Sequence, residues 1–131
     1  LELLDHPDAG YFRLRARENL CGVLHWERKL DEAVDCLSPL PGEFLALPDI
    51  DGALNASVNL LALKRELGER IDAGLERRRL QSALGSEAVA PMRKGRFELT
   101  LAMALRDQGQ FADSIRGFER ALEHFSASTE D

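Results

Sequence analysis

The sequence predicts an all-α fold built from three antiparallel helix hairpins. Leu (23) and Ala (16) dominate the apolar residues of this 131-residue chain, whereas Val (4) and Ile (3) are scarce. Helices favour Leu and Ala, and strands favour the β-branched residues that the chain lacks. Apolar residues also recur at helical spacing in three pairs of segments, which pause at Arg28-Lys29, Gly68 and Gly109. The length is typical of a single domain.

The first hairpin is expected over residues 8–38. Leu14 and Leu24 lie on the apolar face of its first helix, and Ala33 lies on that of the second. Pro39 and Pro41 are expected to end the hairpin, because neither can donate to a helical ladder. Residues 43–49 are therefore predicted to be a linker with a short apolar patch.

The second and third hairpins are expected over residues 50–85 and 90–125. Gly85 is predicted to end the second hairpin in the left-handed conformation that glycine adopts after a helix. Residues 126–131 are small and polar, so we expect the chain to fray there.

The three hairpins share an internal sequence repeat. When their central breaks are aligned, leucines and small residues fall in register at offsets of 40 and 41 residues. The aligned positions are Leu20, Leu60 and Leu101 in the first helices, and Ala33, Ala73 and Ser114 in the second helices.

The third hairpin carries the motif that identifies a family. Gln108-Gly109-Gln110-Phe111-Ala112-Asp113-Ser114, followed by Phe118 and Ala121-Leu122, resembles the tetratricopeptide repeat, in which Gly, an aromatic, a small residue, Phe and Ala-Leu occur in this order. The stretch from Arg28 to Ala33 looks like a second copy. The middle hairpin has Arg70 and Arg77 in place of the aromatic and the Phe. The resemblance implies a right-handed α-solenoid, in which stacked hairpins share one continuous core.

Charge and hydropathy exclude several classes of function. A net charge of −6 argues against a nucleic-acid or anionic-membrane binder, since both need a basic surface. No apolar run approaches the roughly 20 residues of a membrane-spanning helix. Residues 64–96 are locally basic, but acidic residues are interleaved with the basic ones. We interpret this region as a solvated helix face, with a modest patch for an acidic partner as the alternative.

A zinc site at the two cysteines is considered and rejected. Cys21 and His25 share a helix face, and Cys36 lies on the partner helix, but no fourth ligand and no Cys-x-x-Cys pair is present. We interpret both cysteines as free, buried thiols that pack as small hydrophobes. Two cysteines are too few for a disulfide scaffold, which favours a reducing, cytoplasmic setting. No metal and no cofactor is expected.

Nothing in the sequence is typical of an active site. No Gly-x-Gly occurs, and a calcium loop starting at Asp49 would have Leu60 at the position that needs a bidentate Glu. Three scattered histidines provide no organised base. We therefore predict that the protein is not an enzyme.

The resemblance implies a concave groove in which first-helix side chains bind a peptide. Since Arg can bind a carboxylate through two hydrogen bonds, an acidic or C-terminal segment is the predicted guest; the alternative is a merely solvated face. The groove residues would be Arg15, Glu18, His25, Trp26, Asn55, Arg65, Arg96, Met103 and Arg106.

The last helix carries an apolar stripe that predicts self-association. The stripe offers more apolar surface than one neighbouring helix can cover, so either the intact protein continues into another repeat or the chain forms a homodimer through its C-terminal hairpin. The residues of the stripe are Phe111, Ile115, Phe118, Leu122 and Phe125, and Phe118, Leu122 and Phe125 are the predicted self-association residues. The predicted function is a protein- or peptide-binding interaction or scaffold module within a larger bacterial regulatory protein. The start at Leu1 rather than Met favours a fragment. The alternatives are a sensor or self-association domain of a transcriptional regulator or signalling protein, and a small chaperone.

Overall fold

The structure, a computed structural model, describes residues 9–129, and every regular element among them is a helix. The all-α prediction is therefore confirmed. The helices are α1 (Ala9–Trp26), α2 (Leu30–Leu37), α3 (Leu40–Ala46), α4 (Ile50–Glu66), α5 (Ala73–Arg79), α6 (Gln81–Leu84), α7 (Pro91–Asp107) and α8 (Phe111–Thr129).

The chain divides into two compact units between Leu63 and Lys64, within the last turns of α4. The described part of the first unit holds α1–α3 and most of α4. The second unit holds the end of α4 and α5–α8. A stack of three hairpins as a right-handed solenoid stays a prediction.

Three tight turns share one backbone geometry. Arg28, Gly68 and Gly109 have φ of 64°, 72° and 80°, and they follow α1, α4 and α7. In each turn, two backbone amides donate to the preceding helix in the same pattern, which defines a Schellman motif. The pairs are Arg28 N–His25 O and Lys29 N–Leu24 O, Gly68 N–Arg65 O and Glu69 N–Lys64 O, and Gly109 N–Arg106 O and Gln110 N–Leu105 O, all at 2.9–3.0 Å. The turns recur at the 40- and 41-residue offsets that the sequence alignment predicts.

The two cysteines form a disulfide, so the prediction of free thiols is wrong. Cys21 on α1 and Cys36 on α2 have Cα atoms 5.5 Å apart, a separation suited to a disulfide. When the first and third turns are aligned, the equivalent residues are Ala102 and Gly117. A Cβ placed on Gly117 would lie 2.9 Å from the Cβ of Ala102, so the helices approach closely at this level. Because the cysteines are paired, the inference of a reducing, cytoplasmic setting loses its premise.

The predicted linker at 43–49 is largely a helix. Pro41 lies in the first turn of α3, where a missing amide hydrogen is tolerated, so the two prolines do not prevent a new helix from starting. Leu40 and Phe44 of α3 are fully buried. A Cβ on Gly52 of α4 would lie 2.5 Å from the Phe44 ring, so glycine permits this close packing. Tertiary burial, rather than the local sequence, explains the helix.

The second half of the middle hairpin is shorter and more interrupted than predicted. Asp72 caps α5 by accepting a hydrogen bond from Leu75 N at 3.0 Å, and the helix is interrupted at Leu80. Gly85 has φ −88°, so the predicted left-handed conformation is wrong. A Gln108 amide instead anchors the segment before α5, since it accepts from Ile71 N at 2.6 Å and donates to Ile71 O at 3.1 Å.

Helices α7 and α8 pack closely along their length. The Ser114 hydroxyl donates to Ala102 O at 2.9 Å, and Phe125 packs over Gly95, where a Cβ would lie 2.6 Å from the ring. Helix α8 continues to Thr129, so the prediction that the chain frays after residue 125 is wrong for residues 126–129. Residues 130 and 131 lie outside the described residues.

Candidate functional site

Three of the predicted groove residues form one polar cluster in the first unit. Glu18 is buried on α1, where Arg15 forms an ion pair with it. The Asn55 amide on α4 approaches the two carboxylate oxygens of Glu18 at 3.4 and 3.5 Å. The contacts hold these side chains to one another, so a guest at this point would compete with the Glu18 carboxylate.

His25 and Trp26 lie at the end of α1, beside the first turn. With Arg28, they line an open cavity of about 490 Å³. Trp26 is 88% exposed, the highest value among the large exposed apolar residues within residues 9–129. A tryptophan in water leaves a large apolar surface available for a partner, and tryptophan is among the residues most enriched where binding energy concentrates in interfaces.

The predicted groove residues of the second unit also include an internal ion pair. Arg65 Nε lies 2.9 Å from Asp107 Oδ2, and Arg106 Nη2 lies 3.7 Å from Asp107 Oδ1. The structure thus brings Arg65 and Arg106 together around one carboxylate, which offsets one of their two positive charges. Arg96 is exposed and Met103 is half-buried.

The predicted self-association stripe on α8 is only partly open. Phe118 and Phe125 are half-buried, and Phe125 packs over Gly95. Leu122 is 64% exposed, and Phe111 and Ile115 are similarly exposed. The most accessible part of the predicted stripe is therefore Phe111, Ile115 and Leu122, whereas Phe118 and Phe125 are partly covered.

The second unit has a basic cavity, which we call the arginine cleft; the sequence indicated a basic patch in residues 64–96 as an alternative but not the cavity or its arginines on α8. The cleft is an open cavity of about 800 Å³ between α8 and residues 70–77, which include the start of α5 and the segment before it. It is lined by Arg70, Ile71, Asp72, Ala73, Gly74, Arg77, Leu105, Gln110, Asp113, Arg116 and Arg120. Four guanidinium groups and two carboxylates thus line one cavity of a protein whose overall charge is −6.

A buried carboxylate anchors two of these arginines. Glu98 on α7 is 1% exposed; Arg120 Nε lies 2.7 Å from its Oε2, and Arg77 Nε lies 3.2 Å from its Oε1. Arg120 Nε donates a hydrogen bond to Glu98, whereas Arg77 Nε forms an ion pair with it that lacks hydrogen-bond geometry, so the Nη nitrogens of both arginines remain as donors. Arg116 pairs with Asp113. Among the described residues, Arg70 has no hydrogen-bond or ion-pair partner.

One sequence signal for this cleft was present. Arg70 and Arg77 occupy the two positions of the middle hairpin where the repeat pattern has apolar residues. Charged residues in apolar positions indicate either an exposed face or a buried counter-charge, and Glu98 is that counter-charge for Arg77. The solvated-face interpretation fits Arg79, which is 61% exposed and pairs with Glu76 of the same helix.

The chain matches none of the protein-family models, curated proteins or solved structures with which it was compared. None of the helices in residues 9–129 has the length and apolar character needed to cross a membrane.

Proposed function

We propose that this chain is a protein-interaction module of the helical-repeat kind, which binds a protein or peptide segment and catalyses no reaction. In this proposal the hairpins stack as a right-handed tetratricopeptide-like solenoid, and the module acts as a scaffold within a larger regulatory protein. The three Schellman turns at offsets of 40 and 41 residues support a repeated architecture.

The observation that carries the binding proposal is the exposure of Trp26. An almost fully solvated indole offers a large apolar surface from which a partner would displace water, and His25 and Arg28 supply polar groups around the same cavity. Many interfaces have an aromatic residue at their centre and polar residues around it. Trp26 was among the groove residues predicted from the sequence.

A peptide selection tests this proposal. Phage-displayed random peptides are selected on the immobilised wild-type protein alone, and synthetic versions of the enriched sequences are then titrated against wild type and Trp26→Ala. We expect peptides that bind wild type at least tenfold more tightly than Trp26→Ala, because truncation at an interface centre costs about 2 kcal/mol or more. Met92→Ala removes another exposed, apolar side chain elsewhere and serves as the control. Equal binding to Trp26→Ala and wild type would contradict the proposal.

Self-association is a second candidate function, and the exposed stripe on α8 favours it. Phe111, Ile115 and Leu122 lie at spacings of four and seven residues, so they share one helix face. Sedimentation at micromolar concentrations should show a dimer that Ile115→Asp dissociates. A strictly monomeric wild type would rule out this alternative without affecting peptide binding at Trp26.

A further inference from the structure

We propose that the arginine cleft binds the phosphate group of a phosphorylated side chain on a protein segment. The site is separate from Trp26 and does not depend on the binding proposed there. The argument starts with the donors. Arg70 offers five N–H groups, and Arg77 and Arg120 each keep two Nη nitrogens after Nε has contacted Glu98.

The arrangement of charge fits a dianion. The four arginines of the cleft outnumber its two lining carboxylates, and with Glu98 included the local sum stays positive in a chain of net charge −6. Asp113 pairs with Arg116, so the donors of the other three arginines stay available. A phosphate monoester carries close to two negative charges and three strong acceptor oxygens at neutral pH. A phosphate thus has one acceptor oxygen for each of the three available guanidinium groups.

Glu98 gives the cleft its orientation. Its hydrogen bond from Arg120 Nε and its ion pair with Arg77 restrict where the two guanidinium groups lie before a ligand arrives. Side chains that are already ordered lose less conformational entropy on binding than mobile surface arginines. This separates the cleft from a basic helix face, where long side chains remain free in water.

The size and walls of the cavity favour a side chain of a protein over a free ion. About 800 Å³ is much more than one phosphate occupies, so flanking residues can enter with it. Ile71, Ala73 and Leu105 supply apolar wall beside the arginines. The acidic character of the whole chain disfavours nucleic acid as the source of the phosphate, because a long polyanion would be repelled elsewhere on the surface.

The test uses calorimetric titration of the full chain with matched probes. The probes are a degenerate peptide mixture with one fixed phosphoserine, the same mixture with serine, the same mixture with glutamate, and inorganic phosphate. We expect saturable binding of the phosphoserine mixture, at least tenfold weaker binding of the glutamate mixture and of inorganic phosphate, and none of the serine mixture.

Two variants with the same change in charge locate the site. Arg70→Ala removes a cleft arginine that has no partner among the described residues, so it leaves the internal contacts intact. It should weaken phosphopeptide binding by about tenfold or more, as expected for a charge-assisted pair. Arg78→Ala changes a nearby arginine outside the cleft and should change binding by less than about twofold. The proposal would be overturned if the phosphoserine mixture showed no saturable binding, or if the glutamate mixture bound equally well or inorganic phosphate bound more tightly. It would also be overturned if Arg70→Ala and Arg78→Ala weakened binding equally. None of these results would affect binding at Trp26.

Discussion

The Glu98 cluster predicts an unusual order of stability among its variants. Glu98 is 1% exposed, whereas Arg77 and Arg120 are 37% and 35% exposed. Removing Arg120 leaves a buried carboxylate whose remaining partner is Arg77, at 3.2 Å. An uncompensated buried charge costs about 3–5 kcal/mol. Because Arg77 stays, we expect Arg120→Ala to lower the free energy of unfolding by about 3 kcal/mol, the lower end of that range.

Replacing the carboxylate should cost much less. Glu98→Leu puts an apolar group of similar volume in the buried position and leaves two arginines that already reach water. Such replacements of buried ionic groups are often neutral or stabilising, so we expect a change within about 1 kcal/mol. Urea denaturation followed by circular dichroism measures both variants, with Arg78→Ala as a surface control expected within about 0.5 kcal/mol of wild type. A loss in Glu98→Leu equal to that in Arg120→Ala would refute the reasoning, since the two arginines would then depend on the carboxylate as much as it depends on them.

Two further predictions concern helix packing. A thiol assay should find no free thiols in the native, unreduced protein and two after unfolding in reductant; two reactive thiols in the native protein would contradict the pairing. The double variant Cys21→Ala/Cys36→Ala should lose about 3 kcal/mol of stability, because the disulfide closes a loop with a sequence separation of 15 residues. Gly117→Ala should destabilise by about 1–3 kcal/mol in urea denaturation, because its Cβ would press on Ala102. Gly22→Ala on α1 is the control: its Cβ meets open space, so it should stabilise the protein by up to about 1 kcal/mol. Equal effects of the two substitutions would show that helix propensity, and not the contact with Ala102, determines the change in stability.

The features that the sequence predicted correctly are local ones. Helical periodicity and the breaks at Gly68 and Gly109 involve residues close together in the chain, and their positive φ values follow from glycine's freedom. Arg28 adopts the same conformation without that freedom. Its position was predicted from the pause in the apolar pattern and from the repeat offset, not from residue type.

The features that the sequence did not predict depend on contacts between distant segments. Helix α3 starts directly after Pro39 and has Pro41 in its first turn, and the burial of Phe44 against α4 explains why it forms. The disulfide depends on the separation of Cys21 and Cys36 across two helices, which residue spacing does not fix. The arginine cleft requires Glu98 to meet side chains 21 and 22 residues away. Periodicity alone carries no information about such pairings.

Trp26 fluorescence tests the central proposal most directly, because Trp26 is the only tryptophan in the chain. In the free protein, acrylamide should quench its emission nearly as efficiently as that of N-acetyltryptophanamide. Titration with a peptide selected on the wild-type protein should shift the emission to shorter wavelength and protect it from acrylamide, as the indole leaves water. A tryptophan that is shielded in the free protein, or whose emission does not change as the selected peptide saturates it, would contradict the account.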